Sequence, residues 1–138
     1  MGLSHSSSFK ILQNTQASLY LFHQNMRDLK HKMDELICLL YSCNPSLHII
    51  CLSEHYLIDH NPLMIKPNNY YFSSRFSCQS YSGGGVCMYI RSNLESNVID
   101  LSQYFIEKII EVCAIQIKIG NHFLILFCIY RTPSGNFS

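Results

Sequence analysis

The sequence predicts a single α/β domain with mixed sheets, and three observations lead to this class. Residues 18–54 alternate strand, helix and strand, which is the pattern of a parallel crossover. Residues 70–130 contain strand-like runs separated by turn signals, as in antiparallel hairpins. Apolar and aromatic residues make up 48% of the 138 residues, which is enough to build a buried core. We assign residues 1–17 to a flexible leader and residues 18–138 to the domain.

The crossover unit predicts where polar side chains meet. Residues 18–24 form an aromatic and apolar run that ends near Asn25. A helix follows, because apolar residues recur at helical spacing at Leu29, Met33, Leu36, Ile37 and Leu40. After His48, residues 49–52 are continuously apolar, as in a strand buried on both faces, and lead to Glu54. Since neighbouring parallel strands present their carboxyl ends at one edge, we expect Asn25 and Glu54 to converge there.

The second half of the chain predicts hairpins. Residues 70–77 and 86–91 are strand candidates, and the glycines 83–85 connect them. A phosphate-binding P-loop requires a helix after its glycines, and here a strand follows. Residues 111–119 alternate between two faces, Gly120-Asn121 makes a two-residue turn, and residues 122–130 return as an apolar strand. Residues 92–109 give no clear prediction.

Composition narrows the class of protein further. The seven cysteines include no C-x-x-C pair, and four of them lie in apolar runs, which indicates reduced core thiols rather than a zinc site. The net charge of +1 gives no global electrostatic case for nucleic acid. No secretory signal is recognisable, and the longest apolar run is too short to cross a bilayer. We therefore expect an intracellular protein, nuclear or cytoplasmic, with no membrane span and no evident protein partner.

Taken alone, the residues leave three roles open for Glu54. A carboxylate at the end of a buried strand can bind a metal ion, act as a base, or cap the following turn. His55, directly after it, reads as a loop residue beside the site.

Four short motifs, taken together, carry a resemblance. They are Phe22-His23-Gln24-Asn25-Met26-Arg27, Leu52-Ser53-Glu54-His55, Ser82-Gly83-Gly84-Gly85-Val86-Cys87-Met88-Tyr89-Ile90 and Cys128-Ile129-Tyr130-Arg131-Thr132-Pro133. In their order and strand-end placement they resemble the endonuclease/exonuclease/phosphatase superfamily, and more narrowly the endonuclease domain of non-LTR (LINE-type) retrotransposons. The similarity runs from about residue 18 to the C-terminus.

This resemblance implies a fold, an activity and site residues. The fold would be part of the four-layer α/β/β/α sandwich with mixed sheets, as in DNase I-like proteins. The activity would be cleavage of DNA phosphodiesters with Mg²⁺ or Mn²⁺. Asn25 would help to hold the metal and the phosphate, Glu54 would be the metal ligand, and Tyr130 would donate a hydrogen bond to the scissile phosphate. Arg27 and Arg131 are candidate substrate-binding residues, because guanidinium groups suit phosphate oxygens.

The resemblance also departs from the family pattern. The family's later Asp-x-Asn pair, a further Asp and a Ser-Asp-His triplet follow the last matched strand, and the chain ends before them. The sequence therefore resembles the N-terminal part of the domain and is expected to be inactive alone. The alternatives are a non-catalytic remnant or nucleic-acid-binding module and, within the superfamily, a phosphatase of small phosphate esters.

Overall fold

The computed structural model describes residues 6–14, 17–42, 47–55, 67–76, 84–104, 106 and 109–131. Their elements run in the order β1 (Ser6–Asn14), β2 (Ala17–Asn25), α1 (Leu29–Ser42), β3 (Ile49–Ser53), β4 (Tyr70–Phe76), β5 (Val86–Arg91), β6 (Ser96–Ile99), β7 (Ile110–Ile119) and β8 (His122–Arg131). The described residues thus confirm an α/β chain in which many more residues lie in strands than in the single named helix.

Five of these strands form a mixed sheet in the order β1-β2-β3-β5-β4. Strands β2 and β3 are parallel, as the crossover pattern predicted, and the other neighbours are antiparallel. Strand β1 lies within residues 1–17, where the sequence predicted a flexible leader. Its antiparallel pairing with the next strand, β2, covers an edge that β2 would otherwise expose, and this pairing explains why a serine-rich segment forms a strand.

The other three strands form an antiparallel sheet in the order β6-β7-β8. The β7–β8 hairpin turns at Gly120-Asn121, and Gly120 has a φ of +58°, a conformation that glycine adopts without steric cost. The short strand β6 falls in the region 92–109, which carries no clear sequence pattern. It is held by its pairing with β7.

Two apolar clusters order these elements into three layers in the part of the chain that the structure describes. One cluster packs α1 on the mixed sheet, through residues such as Leu29, Leu36, Ile50 and Leu52. The other fills the space between the two sheets, and its buried members are Leu19, Leu21, Ile49, Cys51, Val86, Met88, Ile90, Cys113, Ile115, Ile117 and Cys128. The mixed sheet is therefore covered on both faces, which explains why β3 is buried along its whole length.

The predicted environment of the cysteines agrees with this core. Cys51, Cys87, Cys113 and Cys128 are free and buried, and Cys38 is free and exposed on α1. A hydrogen bond with Cys128, together with burial, raises the pKa of both the Cys51 and the Cys113 thiols. These two thiols are therefore held protonated in the core. Cys43 and Cys78 lie outside the described residues.

Within the described residues, no helix has both the length and the apolar character that crossing a membrane requires.

Candidate metal and phosphate site

The ends of β2 and β3 meet at one edge of the mixed sheet, as the sequence predicted. Asn25 is the register partner of Ser53 in the parallel pair, and the N–H of Met26 donates to the Ser53 carbonyl at 2.9 Å. Glu54 follows directly after Ser53. The two polar residues that are 29 positions apart in sequence therefore lie at neighbouring strand ends.

Glu54 leaves the strand in a left-handed backbone conformation, with a φ of +52°. Strand alternation would send its side chain to the same face as Ile50 and Leu52, which pack against α1. Instead, its carboxylate reaches the space between the sheets, where Oε1 accepts a hydrogen bond from the hydroxyl of Tyr130 on β8. Its side chain is only 16% exposed, so Glu54 is not a solvated strand-end acid.

The turn that joins β2 to α1 shares this unusual backbone. Arg27 and Asp28 have φ values of +45° and +85°, which are uncommon for residues other than glycine. The N–H of Asp28 donates to the Glu54 carbonyl at 3.0 Å, and the N–H of Leu29 donates to the His55 carbonyl at 3.0 Å. The start of α1 is thus tied to the end of β3. Left-handed residues held in this way concentrate at functional sites.

Asn25 is half-buried and contributes an amide oxygen to this edge. Alternation along β2 places it on the face of Leu19 and Leu21, which is the face turned toward the second sheet and Tyr130. Its Oδ1 is buried and has no hydrogen-bond partner among the described residues. An unsatisfied buried oxygen is unfavourable, so this atom is available for a ligand. Sequence reasoning missed that the neighbouring Gln24 has a buried Oε1 in the same condition.

The two candidate arginines lie at the rim. The Nε of Arg27 is 3.9 Å from Oε2 of Glu54, and the Arg27 side chain is 78% exposed. An ion pair this exposed contributes little to stability, so Arg27 can exchange Glu54 for another anion at low cost. Arg131 is exposed and directly follows Tyr130 at the end of β8. Both guanidinium groups therefore belong to residues at the edge where Glu54 lies.

Three further residues underlie the site, and sequence reasoning did not assign them to it. His55 is a loop residue beside Glu54, as predicted, but it is also fully buried, because it is enclosed by Gly85 and the start of α1. Glu111 on β7 is also fully buried, and its Oε2 accepts the Gly85 N–H at 2.7 Å. The sequence pattern could have indicated this burial, because Glu111 lies two residues before Cys113 and therefore on the same face of β7 as Cys113, Ile115 and Ile117.

A divalent cation fits this donor set, although nothing in the chain forms an all-protein cage for one. Within the described residues, no group of three or more His, Cys, Asp and Glu side chains could hold a metal ion. Mg²⁺ does not need such a group, because it keeps several of its waters and is commonly bound through one or two carboxylates together with substrate phosphates. Glu54 supplies one carboxylate, and Asn25, at the neighbouring strand end, has an unpartnered Oδ1 that is a second hard oxygen.

Comparisons of the chain with protein-family models and with curated proteins find no match. Function is therefore inferred from the residues and the geometry of the site.

Proposed function

We propose that Asn25, Glu54 and Tyr130 form a site for Mg²⁺ or Mn²⁺ and a DNA phosphodiester, of the kind found in retrotransposon endonucleases of the endonuclease/exonuclease/phosphatase superfamily. The observation that carries the proposal is the hydrogen bond between Tyr130 and Glu54. It joins two of the three positions that the resemblance assigns to the site, although they are far apart in the chain.

Each side chain supplies a distinct chemical function. Glu54 would bind the cation, which polarises a phosphate and offsets the charge that develops on a leaving oxygen. The amide of Asn25 can donate to a phosphate oxygen or ligate the cation without adding charge. The hydroxyl of Tyr130 can transfer its hydrogen bond from Glu54 to a phosphate oxygen. Arg27 and Arg131, at the rim, suit the neighbouring phosphates of a DNA strand.

The architecture also supports the proposal. The resemblance implies four layers, α/β/β/α, and the described residues provide a helix, a mixed sheet and a second sheet in that order. The outer face of the second sheet exposes Phe123, Ile125, Phe127 and Ile129. This is the face on which the fourth layer of such a sandwich would pack.

Binding, rather than rapid cleavage, is the activity that these three residues support. Glu54 would be engaged with the cation, Asn25 has no basic group, and Tyr130 is a hydrogen-bond donor. None of them is placed to activate a water molecule. We therefore propose a nuclease-type phosphodiester-binding site whose own cleavage rate is very low.

Binding of fluorescent duplex DNA, measured by anisotropy with Mg²⁺ or with EDTA, tests this function. We refer to this binding as DNA retention. We expect Mg²⁺ to strengthen retention by the wild type and to have no effect on Glu54→Gln. The matched control is Glu95→Gln, because Glu95 is exposed and its substitution removes the same charge. Retention that is equal with Mg²⁺ and EDTA would favour a metal-independent nucleic-acid-binding module and contradict the proposal.

Two parallel assays separate the remaining alternatives. Plasmid nicking by the wild type is expected to be barely above that of Glu54→Gln, and robust Glu54-dependent nicking would overturn the assignment of binding without cleavage. Hydrolysis of a soluble phosphomonoester is expected to be absent. A Glu54-dependent phosphatase activity without DNA retention would replace DNA with a small phosphate ester as the substrate.

A further inference from the structure

Glu111 is a buried acid that the proposed chemistry does not use. It lies near the start of β7, is fully buried, and accepts the N–H of Gly85 at 2.7 Å through its Oε2. Burying a carboxylate is costly unless hydrogen bonds satisfy it. A sheet residue with no role beyond packing would be better served by an apolar side chain, as at Cys113 and Ile115 on the same face.

Gly85 connects Glu111 to the mixed sheet. Its carbonyl accepts the N–H of His55 at 3.4 Å, so Gly85 is bonded through one side to Glu111 and through the other to the residue after Glu54. A Cβ atom on Gly85 would clash with Cε1 and Nε2 of His55, and Gly85 has a φ of +92°. The imidazole ring therefore packs directly on this glycine, and any side chain here would displace the ring and strain the backbone.

The same connections fix the backbone of Glu54. His55 is held by Gly85 on one side and by the N–H of Leu29 on the other. The left-handed conformation of Glu54 lies immediately before it. Such a conformation persists only when the surrounding structure determines it. Glu111 is also the direct register partner of Tyr130 in the β7–β8 pair, so their side chains are on one face of the sheet.

We propose that Glu111 is a positioning residue for this site. Through Gly85 and His55 it holds the end of β3 so that the Glu54 carboxylate meets the hydroxyl of Tyr130, which is beside Glu111 on the adjacent strand. Its significance rests on the proposed function, because Glu54 is the residue that is positioned. The geometric claim can be tested without any metal ion or DNA.

The test is the ¹³Cζ signal of Tyr130 in protein with labelled tyrosine, assigned by its loss in Tyr130→Phe. In the wild type the chemical shift of this carbon reports the hydrogen bond to Glu54. The Glu54→Gln variant gives the chemical shift that the same carbon has when the carboxylate is absent. We expect Glu111→Leu to move the signal toward that position, because the Gly85 N–H loses its acceptor. Glu111→Gln keeps an oxygen that can accept the Gly85 N–H, so its Tyr130 signal should stay at the wild-type position. A residue that only stabilises the fold would lower the unfolding temperature and leave the native Tyr130 signal unchanged.

A second variant and a second measurement test the role of Glu111 even if Glu111→Leu does not fold. If Glu111→Leu does not fold, Glu111→Asp is measured in its place, because it keeps the charge and withdraws the carboxylate by one methylene. A wild-type Tyr130 signal in the folded variant would overturn the proposal. Mn²⁺ titration of the same proteins is the second readout, with about tenfold weaker binding expected for the displaced variants. If the wild type binds no Mn²⁺, the proposed function fails, while the Tyr130 signal still decides the role of Glu111.

Discussion

The hydroxyl of Tyr130 donates a hydrogen bond to the carboxylate of Glu54, and this bond joins strand β8 of the second sheet to the end of β3 in the mixed sheet. The two residues are 76 positions apart. Close by, the thiol of Cys128 is 3.9 Å from the Leu52 carbonyl, so the two strands also approach each other one step further into the core. The site is therefore built on the junction of the two sheets.

Removing the phenol hydroxyl should separate its structural and functional effects. We expect Tyr130→Phe to lower the free energy of unfolding by about 1–3 kcal/mol, since a hydrogen bond to a charged, largely buried group is lost. Mn²⁺ binding should persist because Glu54 remains, while Mg²⁺-dependent DNA retention should weaken. Urea unfolding and DNA anisotropy measure the two effects. Tyr104→Phe is the control, because Tyr104 is exposed, and an equal loss in that variant would argue against a specific role for Tyr130.

Replacing Asn25 by an apolar residue should have opposite effects on the stability of the fold and on DNA binding. Its Oδ1 is buried without a partner among the described residues, so an apolar replacement removes an unfavourable group. We expect Asn25→Leu to leave the free energy of unfolding unchanged or to raise it, and to weaken Mg²⁺-dependent DNA retention. Chemical unfolding and anisotropy of the same preparation check both parts. A large loss of stability with unchanged DNA retention would identify Asn25 as a purely structural turn residue.

Because of His48, we expect the free energy of unfolding to fall as the pH is lowered. Burial, followed by the charge of Arg91, lowers the pKa of His48 from its ordinary value of 6.5, and its Nδ1 accepts the N–H of Tyr20 at 3.0 Å. The unfolded chain therefore takes up this proton more readily than the folded chain. The stability that neutral His48 contributes is complete above about pH 6.5 and is lost as the pH falls from there toward the lowered pKa.

The variant His48→Asn tests this prediction, because asparagine can keep an acceptor for Tyr20 and does not titrate. Between about pH 7 and pH 5, we expect unfolding free energies to fall less steeply in this variant than in the wild type. His122→Asn is the control, since His122 is exposed. Parallel pH curves for the wild type and His48→Asn would show that His48 does not contribute.

The outer face of the second sheet should cause self-association. Alternate residues of β8, namely Phe123, Ile125, Phe127 and Ile129, are 51–63% exposed, and β8 is an edge strand among the described residues. Exposed apolar edge strands pair with other chains. We expect Phe127→Lys to shift the protein toward monomer in sedimentation experiments. Val98→Lys, which removes an exposed apolar residue on β6, should not, and a monomeric wild type would contradict the prediction.

The sequence predicted the parts of the fold that depend on local pattern. The crossover, the helix from Leu29, the strand from Val86 and the turn at Gly120 were all recognisable from periodicity and turn residues. Strand β1 was not, because its formation depends on pairing with β2 rather than on its own composition. Strand β6 similarly depends on β7.

The site was predictable only in part, for a related reason. The meeting of Asn25 and Glu54 follows from the parallel strand order, which the sequence indicated. The left-handed turn of Glu54 toward Tyr130 does not, since it depends on Gly85 and His55 packing against each other. Glu111 carried a visible signal as an acid in phase with an apolar face, but its partner Gly85 lies 26 positions away. Contacts of that range are set by the assembled fold.

The most direct test of the proposed site is a Mn²⁺ titration of the wild type and Glu54→Gln, followed by electron paramagnetic resonance of the free ion. We expect the wild type to bind a single Mn²⁺ that Mg²⁺ displaces, and Glu95→Gln to match it. In Glu54→Gln the affinity should fall by about tenfold or more, because the anionic ligand is lost. Equal binding by the wild type and Glu54→Gln, or no binding by the wild type, would contradict the assignment of Glu54 as the metal ligand.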